Sequence, residues 1–114
     1  MSDTTPDGVT EYEPQELQTL LAQGRVLLID VREPAEYAAE RIPGALLYPL
    51  SSFQAAHLPP DDTRPLVFHC AVGGRSLTAA RLRQAIGQPA AHLAGGIMGW
   101  KACGLPTLRD PRFA

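Results

Sequence analysis

Cysteine is scarce in this chain, with only Cys70 and Cys103 among 114 residues. Two cysteines cannot build the multi-bridge framework of a small secreted domain, so both are expected to stay free thiols in a reducing compartment. Neither they nor His57, His69 and His92 fall at metal-ligand spacings, and no metal or other cofactor is expected. A basic block is missing too. Ten Lys and Arg against twelve Asp and Glu leave a formal charge of −2, with nothing to neutralise a run of phosphates, so no nucleic-acid partner is expected. No apolar run approaches the roughly 20 residues of a membrane span. The segment Met1, Ser2, Asp3, Thr4, Thr5, Pro6, Asp7 lacks the positive and apolar regions of a secretory signal. The expectation is a soluble, cytoplasmic protein with no membrane partner.

What is present suits one domain with a single core. Residues 1–8 are polar, contain Pro6 and Gly8, and read as a flexible lead. Residues 9–12 are expected to form a short strand, and Pro14 opens a helix in which Leu17, Leu20 and Leu21 share a face before Gly24 stops it. Val26, Leu27, Leu28 and Ile29 are continuously apolar, as in a strand covered on both faces. Asp30 ends that run, and Glu33 and Pro34 begin a short helix reaching residue 40. After the Ile42, Pro43, Gly44 turn, residues 45–48 form a second apolar stretch. Ser51 is the expected N-cap of a helix over 51–57, followed by a loop over 58–62. Leu66, Val67, Phe68 and His69 form the next buried strand, and the periodicity predicts a helix over 75–86. On it Ala79, Leu82 and Ile86 face inward while Arg81 and Arg83 reach solvent. A strand over 91–93, Gly95 and Gly96, a helix through Trp100 and an irregular tail complete the chain. Strands alternating with helices predict an α/β domain with a mainly parallel sheet.

Cys70 falls at the carboxyl end of a strand and immediately before a helix, which is where open α/β sheets bind ligands. A helix N-terminus presents unpaired N–H groups and about half a positive charge, and Gly73 and Gly74 let the backbone curl around one point. A thiol in such a cradle ionises more readily than a free one, and the thiolate is the reactive form. The alternative is a small buried hydrophobe, the usual fate of a free cysteine. Two glycines and Arg75 beside it suit an anion site better than a packed core.

Three segments together resemble the rhodanese family, over about residues 9–108, which leaves 109–114 as a tail. Asp30, Val31 and Arg32 with Glu36, Tyr37, Ile42, Pro43, Gly44 and Ala45 resemble one family block. Cys70, Ala71, Val72, Gly73, Gly74, Arg75 and Ser76 are similar to its C-x-x-G-x-R-[ST] active loop, and Leu93, Gly95, Gly96, Gly99 and Trp100 with Gly104, Leu105 and Pro106 to its C-terminal segment. Arg41 departs from the histidine usual before Ile42.

The resemblance implies a three-layer fold with a central, mainly parallel five-stranded sheet flanked by helices. It implies a sulfurtransferase in which Cys70 takes a sulfane sulfur from thiosulfate or a small-molecule persulfide and passes it to a thiol or cyanide. A protein sulfur donor or acceptor is also compatible. In that reading the amides of residues 71–76 hold the negative sulfur, while Arg75 binds the donor or ties the loop to a carboxylate. Asp30, Arg32 and Glu36 are expected as supporting ion pairs, and the His69 ring should point away from the loop. Cys103 could resolve the persulfide, but nothing in its context activates it, and a structural role is the better reading. Two rivals stand beside this one. A cysteine phosphatase of related fold has a loop one residue longer, because a phosphoryl group needs a wider cradle than one sulfur atom. A silent binding module of the same family generally lacks the cysteine.

Overall fold

Two continuous apolar runs make the centre of the sheet in the computed structural model, which describes residues 3–61 and 64–113. Strand β3 (Leu27–Asp30) pairs in parallel with β6 (Leu66–His69), with Leu27 opposite Leu66 and Asp30 opposite His69. Every residue of β6 is buried, as expected of a strand covered on both faces. Next to β3 lies β5 (Leu46–Leu47), and beyond β6 come β7 (Ala91–Leu93) and β2 (Thr10–Tyr12), all in parallel. These five strands are the expected parallel set. A sixth, β1 (Asp3–Thr4), adds antiparallel to β2, so the segment expected to be a flexible lead is paired at the sheet edge. The tail contributes as well, because β8 (Leu108–Arg109) pairs antiparallel with β4 (Glu40–Arg41) in a separate two-stranded sheet.

Helices cover both faces. On one, α1 (Pro14–Ala22) and α4 (Gly96–Ala102) bring Leu17, Ile97 and Trp100 onto Leu28, Val67 and Leu93. Tyr37 of α2 (Pro34–Ala39) packs against the same cluster. Pro14 and Pro34 each stand in the first turn, where a missing N–H costs nothing. On the other face α3 (Gly74–Gln84) lays Ala79 and Ala80 over Ile29, Val31 and Phe68.

Two local expectations change. On α3 the buried positions are Ser76, Ala79, Ala80 and Arg83, whereas Leu82 and Ile86 are 45% and 48% exposed. The phase of the helix is set at its start, where Ser76 must face the preceding loop, and positions three, four and seven further on then face inward. Arg83 tolerates full burial because its guanidinium donates to the Pro59 and Pro89 carbonyls and pairs with Asp61. The helix expected over 51–57 is replaced by two 3-10 turns, Leu50–Ser52 and Ala55–His57. Between them Phe53 is extended, and its ring packs between Tyr48 and Phe68 with centroids 5.3 and 5.5 Å away. Pro49 rather than Ser51 precedes the first turn, and the Ser51 hydroxyl donates to Glu33 Oε1 at 2.8 Å.

Candidate active site

Cys70 follows the last residue of β6 directly, and α3 begins four residues later at Gly74. Between them the chain reverses through Gly73, whose φ of +119° excludes an ordinary side chain. This reversal turns the Gly73 N–H, at 3.1 Å, and the Ser76 N–H, at 3.3 Å, onto Cys70 Sγ. The Ser76 hydroxyl lies 3.5 Å from the same sulfur. Burial of the thiol, 1% exposed as a residue, pushes its pKa up. The Ser76 hydroxyl and the amides of Ser76, Gly73 and Val72 more than offset that, leaving the thiol below its ordinary value.

The loop is held from two sides. Across the sheet end, the Ile97 N–H donates to the Cys70 carbonyl at 2.9 Å and the Met98 N–H to the Ala71 carbonyl at 3.1 Å. This close docking depends on Gly96, where an added Cβ would fall 2.4 Å from the Cys70 oxygen and 2.5 Å from the Ala71 carbonyl carbon and oxygen. On the other side Arg75 grips Glu36 through its two terminal nitrogens, Nη1 and Nη2, at 2.8 and 3.0 Å. That guanidinium, aided by the Glu33 N–H and opposed by partial burial, holds the Glu36 carboxyl at about 2. Of the two tasks open to Arg75, tying the loop to a carboxylate is the one its side chain performs in this structure.

Behind the loop, Arg32 binds Asp30 through Nη2 at 2.8 Å and Nε at 3.1 Å, and Nη2 also donates to the Glu40 carbonyl at 2.7 Å. His69 turns its ring away from the loop sulfur, with Nε2 3.4 Å from Asp30 Oδ2 and Nδ1 3.2 Å from the Cys70 carbonyl. Burial alone would raise the Asp30 pKa, but the His69 ring beside it and the bonds from Arg32 outweigh that, and the carboxyl lies well below the usual range.

Cys70, Gly73 and Ser76 therefore converge on one point. Ala71 and Val72 lie on the rim, with Val72 71% exposed, and Gly74 opens the helix. Arg75 and Glu36 brace the loop, while Asp30 sits one layer below and meets it through His69, with Arg32 bound to Asp30 in turn. Arg41, in place of the family histidine, stacks 5.0 Å over the Tyr37 ring and donates to the Tyr37 carbonyl. Cys103 is exposed at the end of α4, and both cysteines are free. Among the described residues no group of His, Cys, Asp and Glu gathers as a metal site, and no helix is long and apolar enough to cross a membrane.

Three residues at the site were not identified from the sequence. His92 on β7 lies with Nδ1 2.9 Å from Ser76 Oγ, and Glu11 on β2 meets its Nε2 at 2.8 Å. Gly96 stood in a motif whose contact with the loop no local pattern discloses.

Residues 13–103 match the Rhodanese-like domain family. An uncharacterised protein of Synechocystis sp. is 39% identical over 96% of this chain, which spans 61% of that relative's length. A human thiosulfate:glutathione sulfurtransferase is 40% identical over 75% of this chain and 87% of its own. Among solved structures, a rhodanese-related protein from Thermoplasma volcanium covers 88% of this chain and 98% of its own, with a TM-score of 0.77 at 24% identity.

Proposed function

The chain belongs to the rhodanese-like domain family, and from that premise we propose that it moves a sulfane sulfur from thiosulfate or a persulfide donor to a thiol or cyanide acceptor through a persulfide on Cys70. Sulfur transfer as a class is supported by the family and by the sulfurtransferase among its relatives. The observation that carries the residue-level reading is the pair of N–H groups, from Gly73 and Ser76, aimed at a single buried sulfur whose pKa is lowered.

In the first half-reaction the Cys70 thiolate attacks the outer sulfur of the donor. A new S–S bond forms, the donor's S–S bond breaks, and its electron pair leaves with sulfite or with the donor thiolate. The outer persulfide sulfur carries negative charge, and the loop amides that point at Sγ stabilise it from one bond away. In the second half-reaction the acceptor attacks the outer sulfur and Cys70 departs as a thiolate, which the same amides favour as a leaving group. Ping-pong kinetics follow. Asp30, Arg32, Glu36 and Arg75 serve by fixing the loop, and a low-pKa free thiol suits a reducing compartment such as the cytoplasm.

Val72 and Ala71 shape the choice of donor. A rim with apolar side chains, and with Arg75 already engaged by Glu36, offers little to a dianion, so a persulfide with a carbon skeleton fits better than thiosulfate. The deciding assay measures thiocyanate formation from cyanide with thiosulfate and, separately, with glutathione persulfide. Transfer from both, faster from the persulfide and lost in Cys70→Ser, is the expected result. Hydrolysis of an aryl phosphate with no sulfur transfer would establish the phosphatase reading instead, and neither activity would leave a binding module.

A further inference from the structure

The chain of contacts does not stop at Ser76. Ser76 Oγ lies 3.5 Å from Cys70 Sγ and 2.9 Å from His92 Nδ1, and the opposite ring nitrogen, Nε2, is 2.8 Å from Glu11 Oε2. Ser76 is fully buried and the His92 side chain is 4% exposed, whereas that of Glu11 is 34% exposed and reaches water. Parallel pairing creates the row, because Glu11 on β2 is directly opposite His92 on β7, and α3 lowers Ser76 onto the same face.

The carboxylate fixes the protons. A group that only accepts, placed against Nε2, requires Nε2–H in the neutral ring, which leaves Nδ1 bare. The Ser76 hydroxyl then donates to Nδ1, closer than the Gly73 carbonyl at 3.1 Å, and its lone pair faces the thiol. Every donor in the row thus points from the sulfur toward Glu11.

We propose that Ser76, His92 and Glu11 form a buried relay that receives the Cys70 proton when the thiol ionises and returns it when sulfur leaves. In the forward step the S–H proton passes to Ser76 Oγ while the serine proton passes to His92 Nδ1. The electron pair stays on Sγ, the serine hydroxyl now donates to the thiolate, and the imidazolium is paired with Glu11. The direction reverses when the thiolate departs in the second half-reaction. Among the described contacts, Glu11 meets the His92 ring directly and Cys70 reaches it only through Ser76; Phe68, its neighbour on β6, is apolar. His92 and Glu11 are positioning residues, since neither touches the sulfur.

The inference rests on Cys70 as the reactive sulfur, but its first readout does not require sulfur transfer. Thiolate absorbance in the near ultraviolet is followed against pH in the intact chain, with the Cys70→Ser protein subtracted so that Cys103 cancels. In His92→Asn the midpoint is expected to rise by about one unit, or about tenfold less thiolate below it, because the amide can bond Ser76 but cannot take the proton. Glu11→Gln, on a partly exposed side chain, is expected to shift it in the same direction by less and secures the test if His92→Asn folds poorly. Persulfide formation in a single turnover should be slowed in both variants below the midpoint and recover in alkali. An unmoved midpoint in the folded variants, or a rate lowered equally at every pH, would overturn the relay and leave the Cys70 assignment standing.

Discussion

Gly96→Ala probes the docking of the loop. The glycine has φ of +59°, and a Cβ there meets backbone atoms of Cys70 and Ala71 at 2.4 to 2.5 Å, so the clash cannot be relieved by rotating a side chain. Forcing an alanine into the left-handed region costs about 1 kcal/mol. Moving the loop away sacrifices the bonds from Ile97 to the Cys70 carbonyl and from Met98 to the Ala71 carbonyl, worth about 1 kcal/mol each. A loss of about 3 kcal/mol is expected in urea unfolding, or a melting temperature lower by roughly 12 °C. Gly104→Ala is the control, because it has φ of +75° with nothing within 4 Å of its Cβ, and should cost only the backbone term of about 1 kcal/mol. The displaced amides should also lower sulfur transfer by about a hundredfold in Gly96→Ala, since a shift of about 1 Å at a reacting centre has that effect. Equal stability of the two variants, with normal transfer in Gly96→Ala, would refute the reasoning.

Other perturbations act on charge and on the second cysteine. Glu36 titrates at about 2 in the folded chain against 4.5 ordinarily, so its contribution is complete above the ordinary value and disappears as pH falls toward 2. Because its side chain is 37% exposed, the effect is screened; melting curves of wild type and Glu36→Gln should converge between about pH 5 and pH 2, and parallel curves would contradict the pairing. Introducing Ala71→Lys with Val72→Lys places two ammonium groups on the rim, each worth about 1 kcal/mol against a dianion roughly 7 Å away in water. The KM for thiosulfate should fall about thirtyfold at low salt and less at high salt, and an unmoved KM would remove the rim from the choice of donor. Cys103→Ser should retain most of the activity, and a loss as large as that of Cys70→Ser would make Cys103 a resolving thiol.

The parts of the fold legible in the sequence are those written in short-range pattern. Leu28 and Ile29 of β3 and Leu66, Val67 and Phe68 of β6 announce buried strands by unbroken apolarity, and Pro14 and Pro34 mark where helices start. The Cys70 loop was legible because its residues are contiguous. The phase of α3 was not, since Leu82 and Ile86 mimic an inward stripe while the tertiary demand on Ser76 rotates that stripe outward. Burial of Arg83 escapes for the same reason: its partners, Pro59, Asp61 and Pro89, lie in loops on either side of the helix. Glu11 and His92 are 81 residues apart and meet only through the register of two parallel strands.

In the proposed reaction Cys70 carries the sulfur. Intact-protein mass spectrometry after exposure to thiosulfate or glutathione persulfide tests it most directly. The expected result is a gain of one sulfur atom, mapped to Cys70, removed by cyanide and absent from the Cys70→Ser protein; a folded wild type that gains nothing, or a Cys70→Ser protein that gains the same mass, would contradict sulfur carriage by Cys70.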